Sequence, residues 1–345
     1  MVARLLAVLA AVGMVLGAIA VRDRIEDGDG GGSTTISLVC ATELASTCQR
    51  LEGQLGGDAR LSVTVEPAGV TASRLSAGPL EGVDGWLVTR PWAEAARAAR
   101  ERAGLEPALG VGRALARSPV VLAVWPDRAE ALRRHCPAGQ IDWRCVGDRA
   151  GQRWEELGGQ PAWGLVKPGH ADPGQEAIGL VVLGSAATGF FGNAGFSRVE
   201  IEEDDGFRSW LSRLERAVPT FRPSGGTPLQ DMLLKGPAAF DVVGTTEAEG
   251  RTRLASAARS DKPVLLYPAP VATADVVLAS VSGPASQRLG RLLRGRGARE
   301  ALSEGGWRVG GAAPAGTGPA LAPDSGLPDA GVLQALLQAW REVTG

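Results

Sequence analysis

From Ile36 onward, short runs of strand character and longer runs of helical period take turns along the chain, which leaves few architectures open to it. Residues 36–40 read as a buried strand and 44–55 as a helix. Residues 61–65 alternate as a half-buried strand does, and 85–89 read as a strand before an Ala/Arg-rich helix over 93–103. The run PVVLAV at 119–124 is continuously apolar, stopped by Trp125-Pro126 and followed by a helix over 127–134. Residues 165–166 read as a weak strand. An apolar helix over 174–187 opens at Asp172-Pro173, and 207–218 are amphipathic. Strands at 241–244 and 263–267 flank a helix at 251–258; a strand at 276–280 precedes helices at 286–293 and 298–303. Such alternation implies an α/β chain with mostly parallel sheets covered by helices.

The first residues set the compartment. Residues 5–21 are uncharged and apolar, with Arg4 before them and Arg22, Asp23 and Arg24 after. As a helix they span about 25 Å, the lower limit for crossing a bilayer. Ala18-Ile19-Ala20 also fits a signal-peptidase site, so 1–22 read as a membrane anchor or as a signal cut near Ala20. Both routes lead out of the cytoplasm. Residues 23–34, with DGDGGGST, read as a flexible spacer.

The four cysteines, Cys40, Cys48, Cys136 and Cys145, fall in two close pairs. Outside the cytoplasm such pairs argue for disulfides; four cysteines allow three connectivities, and proximity favours Cys40–Cys48 with Cys136–Cys145. The spacings match no zinc pattern, so neither metal nor other cofactor is expected. The net charge of −2 gives no support for nucleic acid as a partner. Arginine supplies nearly all the basic residues and looks scattered rather than gathered into a patch.

No enzyme is expected. Gly110–Gly112 lacks the third glycine of a dinucleotide loop, and no phosphate-loop, nucleophile-elbow or zinc-protease motif occurs. His135 adjoins Cys136, and His170 lies in a Pro/Gly turn without a nucleophile assigned by motif. Glu202, Glu203, Asp204 and Asp205 read as a solvated loop.

Four stretches, in order, carry a resemblance: SPVVLAVWPDRAEAL (118–132), KPGHADPGQEAIGLVVL (167–183), AAFDVVGTTEAE (238–249) and PVLLYPAPVATADVVLAS (263–280). They resemble type II periplasmic solute-binding proteins, most nearly the extracellular solute-binding part of some actinobacterial membrane proteins. The resemblance covers about 36–309. It implies two α/β lobes, lobe one from 35–116 and 263–309 and lobe two from 117–262, with a cleft between them. Residues 310–345 would be an Ala/Gly/Pro-rich connector and a last helix over 330–343. In related chains such a segment can precede a von Willebrand factor A domain, whose D-x-S-x-S motif does not occur here.

Ligands of open α/β sheets sit beyond strand carboxyl ends, where helix starts offer free amides. By position the candidates are Thr42, Glu43, Thr71, Ser73, Thr89 and Arg90 in lobe one. Lobe two offers Gln175, Glu176, Thr245, Thr246 and Glu247. Each hydroxyl also fits an ordinary N-cap, and each acid an ordinary partner of a helix dipole. Oxyanion-binding relatives place small hydroxyl residues at the second-lobe helix start; here ADPGQEA puts Glu176 at or beside that position. A carboxylate there would compete for the same amides, so an oxyanion is not expected. The single tyrosine, Tyr267, argues against a stacking sugar cleft. The expected function is extracytoplasmic binding of a small solute; the alternative is a ligand-free relative that meets another surface protein. Either form would be held at the membrane by its N-terminal helix, or be secreted where that helix is cut near Ala20.

Overall fold

The structure is a computed structural model that describes residues 34–54, 59–78, 82–219, 226–311 and 318–345. The apolar segment 5–21 and the spacer up to residue 33 lie outside the described residues.

The first part of the sheet begins with β1 (Thr34–Ala41), whose Ile36, Leu38, Val39 and Cys40 are buried. Then follow α1 (Ala45–Leu51), β2 (Ala59–Glu66), α2 (Ala68–Ala77), β3 (Gly85–Thr89) and α3 (Arg90–Arg102). β1 pairs in parallel with both neighbours, Ile36 opposite Leu61 and Val39 opposite Trp86. After the short β4 (Gly110–Val111), β5 (Ala116–Val124) carries the chain into the second part.

That part contains α4 (Pro126–His135), α5 (Trp143–Arg149), β6 (Pro168–Gly169), α6 (Ala177–Phe191), α7 (Arg198–Glu203) and α8 (Asp205–Arg216). It continues through α9 (Pro228–Lys235), β7 (Val242–Thr246), α10 (Glu247–Ser256) and β8 (Val264–Leu266). The chain returns in β9 (Thr273–Ser280), α11 (Pro284–Arg294) and α12 (Arg296–Glu304), and closes with α13 (Ala330–Thr344).

The strand order is β2-β1-β3-β9-β5-β7-β6, with β4 on β9 and β8 on β5. β5 belongs to both parts. Its Ala116–Pro119 stretch pairs with β9 and its Val120–Val124 stretch with β7. This double membership explains the uninterrupted apolar run: both faces are covered, and Val120 to Val124 are fully buried.

The sheet is mixed, which corrects the expectation of mostly parallel sheets. β9 is antiparallel to β3, β4 and β5, and β5 is antiparallel to β7 and β8. The cause is topological. β5 leaves the first part and β9 re-enters it, so the two crossing strands run in opposite directions, a property that residue alternation does not encode. β8 still pairs with β5, so the chain crosses back between Leu266 and Thr273.

Other differences are local. The weak strand at 165–166 is an isolated bridge between Arg153 and Leu165, and the paired strand is β6 just after it. The acidic stretch at 202–205 is not a solvated loop. Glu202 and Glu203 end α7, which opens with a capping box between Ser197 and Glu200, and Asp204 caps α8 through the Phe207 N–H at 2.9 Å.

Both disulfides form as expected, Cys40–Cys48 and Cys136–Cys145. The core of the second part is aromatic. Phe190, Phe191, Phe196, Phe207 and Trp210 pack ring on ring, with Phe191 and Phe196 stacked at 4.5 Å. Against it lies α13, which touches α6, α7 and α8 and also α3 of the first part. Gly184 makes this approach possible, because a Cβ there would stand 2.8 Å from Leu333 and 3.0 Å from Leu327. Trp340 donates its indole N–H to Glu215 at 2.9 Å.

Candidate functional site

The carboxyl ends of β1, β2 and β3 meet the start of α6 where the two parts join. β1 ends at Ala41, and the tight turn Thr42–Leu44 throws two polar side chains toward the second part. Glu43 accepts the Ile178 N–H at 2.7 Å, which places its carboxylate on the free amides of α6. The Thr42 hydroxyl donates to Glu176. Beside them, the Gly69 N–H at the start of α2 donates to the Gln175 carbonyl at 2.9 Å. Only glycine fits at 69, since a Cβ would fall 2.3 Å from the Gly174 carbonyl oxygen. These three bonds cross the junction, and Thr89 adds a fourth to the Ala177 carbonyl.

Glu176 is the N-cap residue of α6 but makes no side-chain cap bond. The acid that satisfies the helix start comes instead from residue 43. Burial raises the Glu43 pKa, the Ile178 amide lowers it, and the neighbouring Glu176 and Glu249 raise it again; the group is pushed up to about 7. Glu249, from the first turn of α10, accepts hydrogen bonds from Thr245 and Thr227. The junction is thus rich in carboxylate and hydroxyl oxygens.

The other expected residues are distributed unevenly. Thr89 is buried and points its hydroxyl at the Ala177 carbonyl, 3.5 Å away. Thr71 is buried and donates to Glu66 at 2.7 Å, so it secures α2 to β2. Arg90 reaches Gly112 O at 3.2 Å and Glu94 at 3.4 Å on its own flank. Ser73 is exposed on α2 and Gln175 is exposed at the junction. The Thr246 hydroxyl caps α10 through the Glu249 N–H at 3.2 Å, the ordinary N-cap role. Glu247 is fully buried and faces the crossing, where it pairs with Arg308 at 2.5 Å and accepts from Tyr267 at 2.6 Å. Burial alone would raise the Glu247 carboxyl, but Arg308 and Tyr267 hold it below the usual carboxylate range.

Position after a strand could not have shown Thr227, Glu249 or Arg308. His170, in the Pro/Gly stretch before α6, is buried, with Nδ1 at 2.8 Å from the Ala171 carbonyl and Nε2 at 3.0 Å from Glu215. Burial pulls its pKa down, but the Glu215 carboxylate outweighs this and the group is pushed up to about 9. This ion pair, with Trp340, holds the strand-to-helix loop that leads into Glu176. Among the described residues, no group of three or more His, Cys, Asp or Glu is placed to hold a metal ion.

No family model matches the sequence, and no curated protein does. Solved structures do match. A periplasmic thiamin binding protein superposes with a TM-score of 0.61 at 12% identity, covering 90% of this chain and 96% of its own. The periplasmic binding protein AfuA from Actinobacillus pleuropneumoniae, solved with fructose-6-phosphate, gives 0.55 at 11%, covering 91% and 97%. The sulfate-binding protein SubI from Mycobacterium tuberculosis gives 0.52 at 14%, covering 80% and 87%. At these identities the likeness is one of fold: the chain has the α/β architecture of the periplasmic solute-binding proteins.

Proposed function

We propose that this chain is an extracytoplasmic solute-binding protein. It closes two lobes, one carrying β1, β2, β3 and β9 and the other β6, β7 and β8, over a small solute with N–H donors or positive charge. The observation that carries the reading is the Glu43 carboxylate on the Ile178 amide, because it takes the position an oxyanion would need. The similar structures include a thiamin binding protein, for a cation, and a sulfate-binding protein, for an anion, so the fold alone does not choose between them. The acceptors around Glu43, Glu176 and Glu249 favour the cation. Two disulfides support a location outside the cytoplasm, with residues 5–21 as signal or tether. The kinship with actinobacterial membrane proteins rests on the four sequence stretches alone.

Native mass spectrometry of protein purified from its own source tests the reading, and a co-purified amine or other cation is the expected result. Recovery of bound sulfate, phosphate or molybdate would overturn the solute class. A second reading, a ligand-free surface scaffold, is favoured by the Gly69–Gln175 backbone bond, which joins the lobes with no solute between those groups. Repeated recovery of the bare chain, with no response to a panel of amines, supports that alternative.

A further inference from the structure

The arginines are not scattered in space. Arg288, Arg291, Arg294, Arg296 and Arg299 fall within α11 and the start of α12, and all but the half-buried Arg288 are exposed. None of the five has an ion-pair partner among the described residues, whereas Arg50, Arg117, Arg128 and Arg308 all do. The acids nearest in sequence are Glu300 and Glu304, and Glu304 is already paired with Arg50 at 2.7 Å. A chain of net charge −2 therefore carries a strongly positive face on two short helices.

The position of that face in the fold is informative. β9 ends at Ser280 beside the start of β3, with Ala279 opposite Trp86. α11 follows at once, and its Leu289 packs against Gly85, where a Cβ would stand 2.6 Å from the leucine. α12 begins beside Gln54, whose amide oxygen is 3.2 Å from a Cβ position on Gly297. Gly53 in turn bonds to Leu61, the partner of Ile36. α11 and the start of α12, which carry these arginines, thus lie toward the end of the first sheet at which Thr34 enters, opposite the end that bears Thr42 and Glu43. Thr34 is also the first described residue, and the apolar run 5–21 precedes it in the sequence.

We infer that the α11–α12 face docks on an anionic phospholipid surface, holding the body against the membrane with the solute cleft turned away. Arginine beside a charged lipid surface contributes additively and is screened by salt. The inference concerns a surface remote from the cleft and does not depend on any solute being bound.

The test uses the full chain reconstituted into vesicles with phosphatidylglycerol or with phosphatidylcholine alone, each doped with a headgroup nitroxide. A dye on Gln287→Cys reports the arginine face, and a dye on Leu234→Cys, exposed on α9, reports the second part. In anionic vesicles the dye at 287 is expected to be quenched well above the dye at 234. The excess should vanish in high salt and in Arg291→Gln/Arg294→Gln/Arg296→Gln/Arg299→Gln, whose surface changes leave the core intact. Equal quenching at both positions, or quenching that ignores the four substitutions, overturns the inference. Arginine-dependent binding of a soluble polyanion such as heparin without the excess at 287 would overturn it as well, and would assign the face to a polyanion.

Discussion

Glu43 and Ile178 stand 135 residues apart in the chain, yet the carboxylate of one caps the helix whose first turn holds the other, at 2.7 Å. This contact spans the two parts of the fold, and its energetics depend on proton concentration.

The first prediction concerns stability against pH. With a folded pKa of about 7 against an ordinary 4.5, Glu43 binds more protons folded than unfolded between those values. Its contribution is fully present at low pH and is lost as pH rises toward 7. Glu43→Gln keeps an acceptor for Ile178 and removes the charge. Urea unfolding should find this variant more stable than the parent by roughly 1–3 kcal/mol near pH 8, the gap closing toward pH 4.5. A gap that does not change with pH would refute the assignment.

The wild type should give no calorimetric signal with sulfate, phosphate or molybdate. Glu43→Ser vacates the α6 amides, and sulfate should then bind with a dissociation constant of about a millimolar. Tight oxyanion binding by the parent would show that Glu43 leaves the helix start in solution.

Arg308 and Glu247 form a pair whose side chains are wholly buried at the crossing. Arg308→Ala leaves a charge without its partner and should cost about 3–5 kcal/mol in denaturant unfolding. Arg308→Met combined with Glu247→Gln should recover much of that. Since the Glu247 pKa is depressed, the wild-type pair loses its contribution as pH falls through the carboxylate range.

His170 should titrate near pH 9 by NMR, and its stabilising effect should be complete below about 6.5 and lost as pH rises through 9. Glu215→Gln removes the charge that outweighs burial, so the midpoint should drop below the ordinary value of 6.5. A midpoint unmoved by that change would mean the pair does not form.

Elements with one dominant local cause were legible in the sequence. β3 falls at 85–89 as expected, because a five-residue apolar run between turn residues has few alternatives, and β5 announces itself by its double coverage. α2 was not foreseen, since AGVTASRLSA mixes glycine, threonine and serine with few apolar residues; its helix is held by packing on α3. α5 and α9 are two-turn helices in stretches dense with glycine, proline or charge. Strand direction and partners across the junction depend on long-range topology. Thus Glu176 was assigned to the α6 amides because it is adjacent in sequence, while the acid that reaches them arrives from the end of β1.

α13 rests on α3 on one side of the junction and on α6, α7 and α8 on the other. Rotation about the crossing strands must therefore shear this packing along with the Glu43 and Gly69 bonds. The added resistance acts on escape as well as on entry. In the proposed binding role, a solute of modest affinity would therefore leave slowly, and this helix would set dwell time rather than equilibrium occupancy.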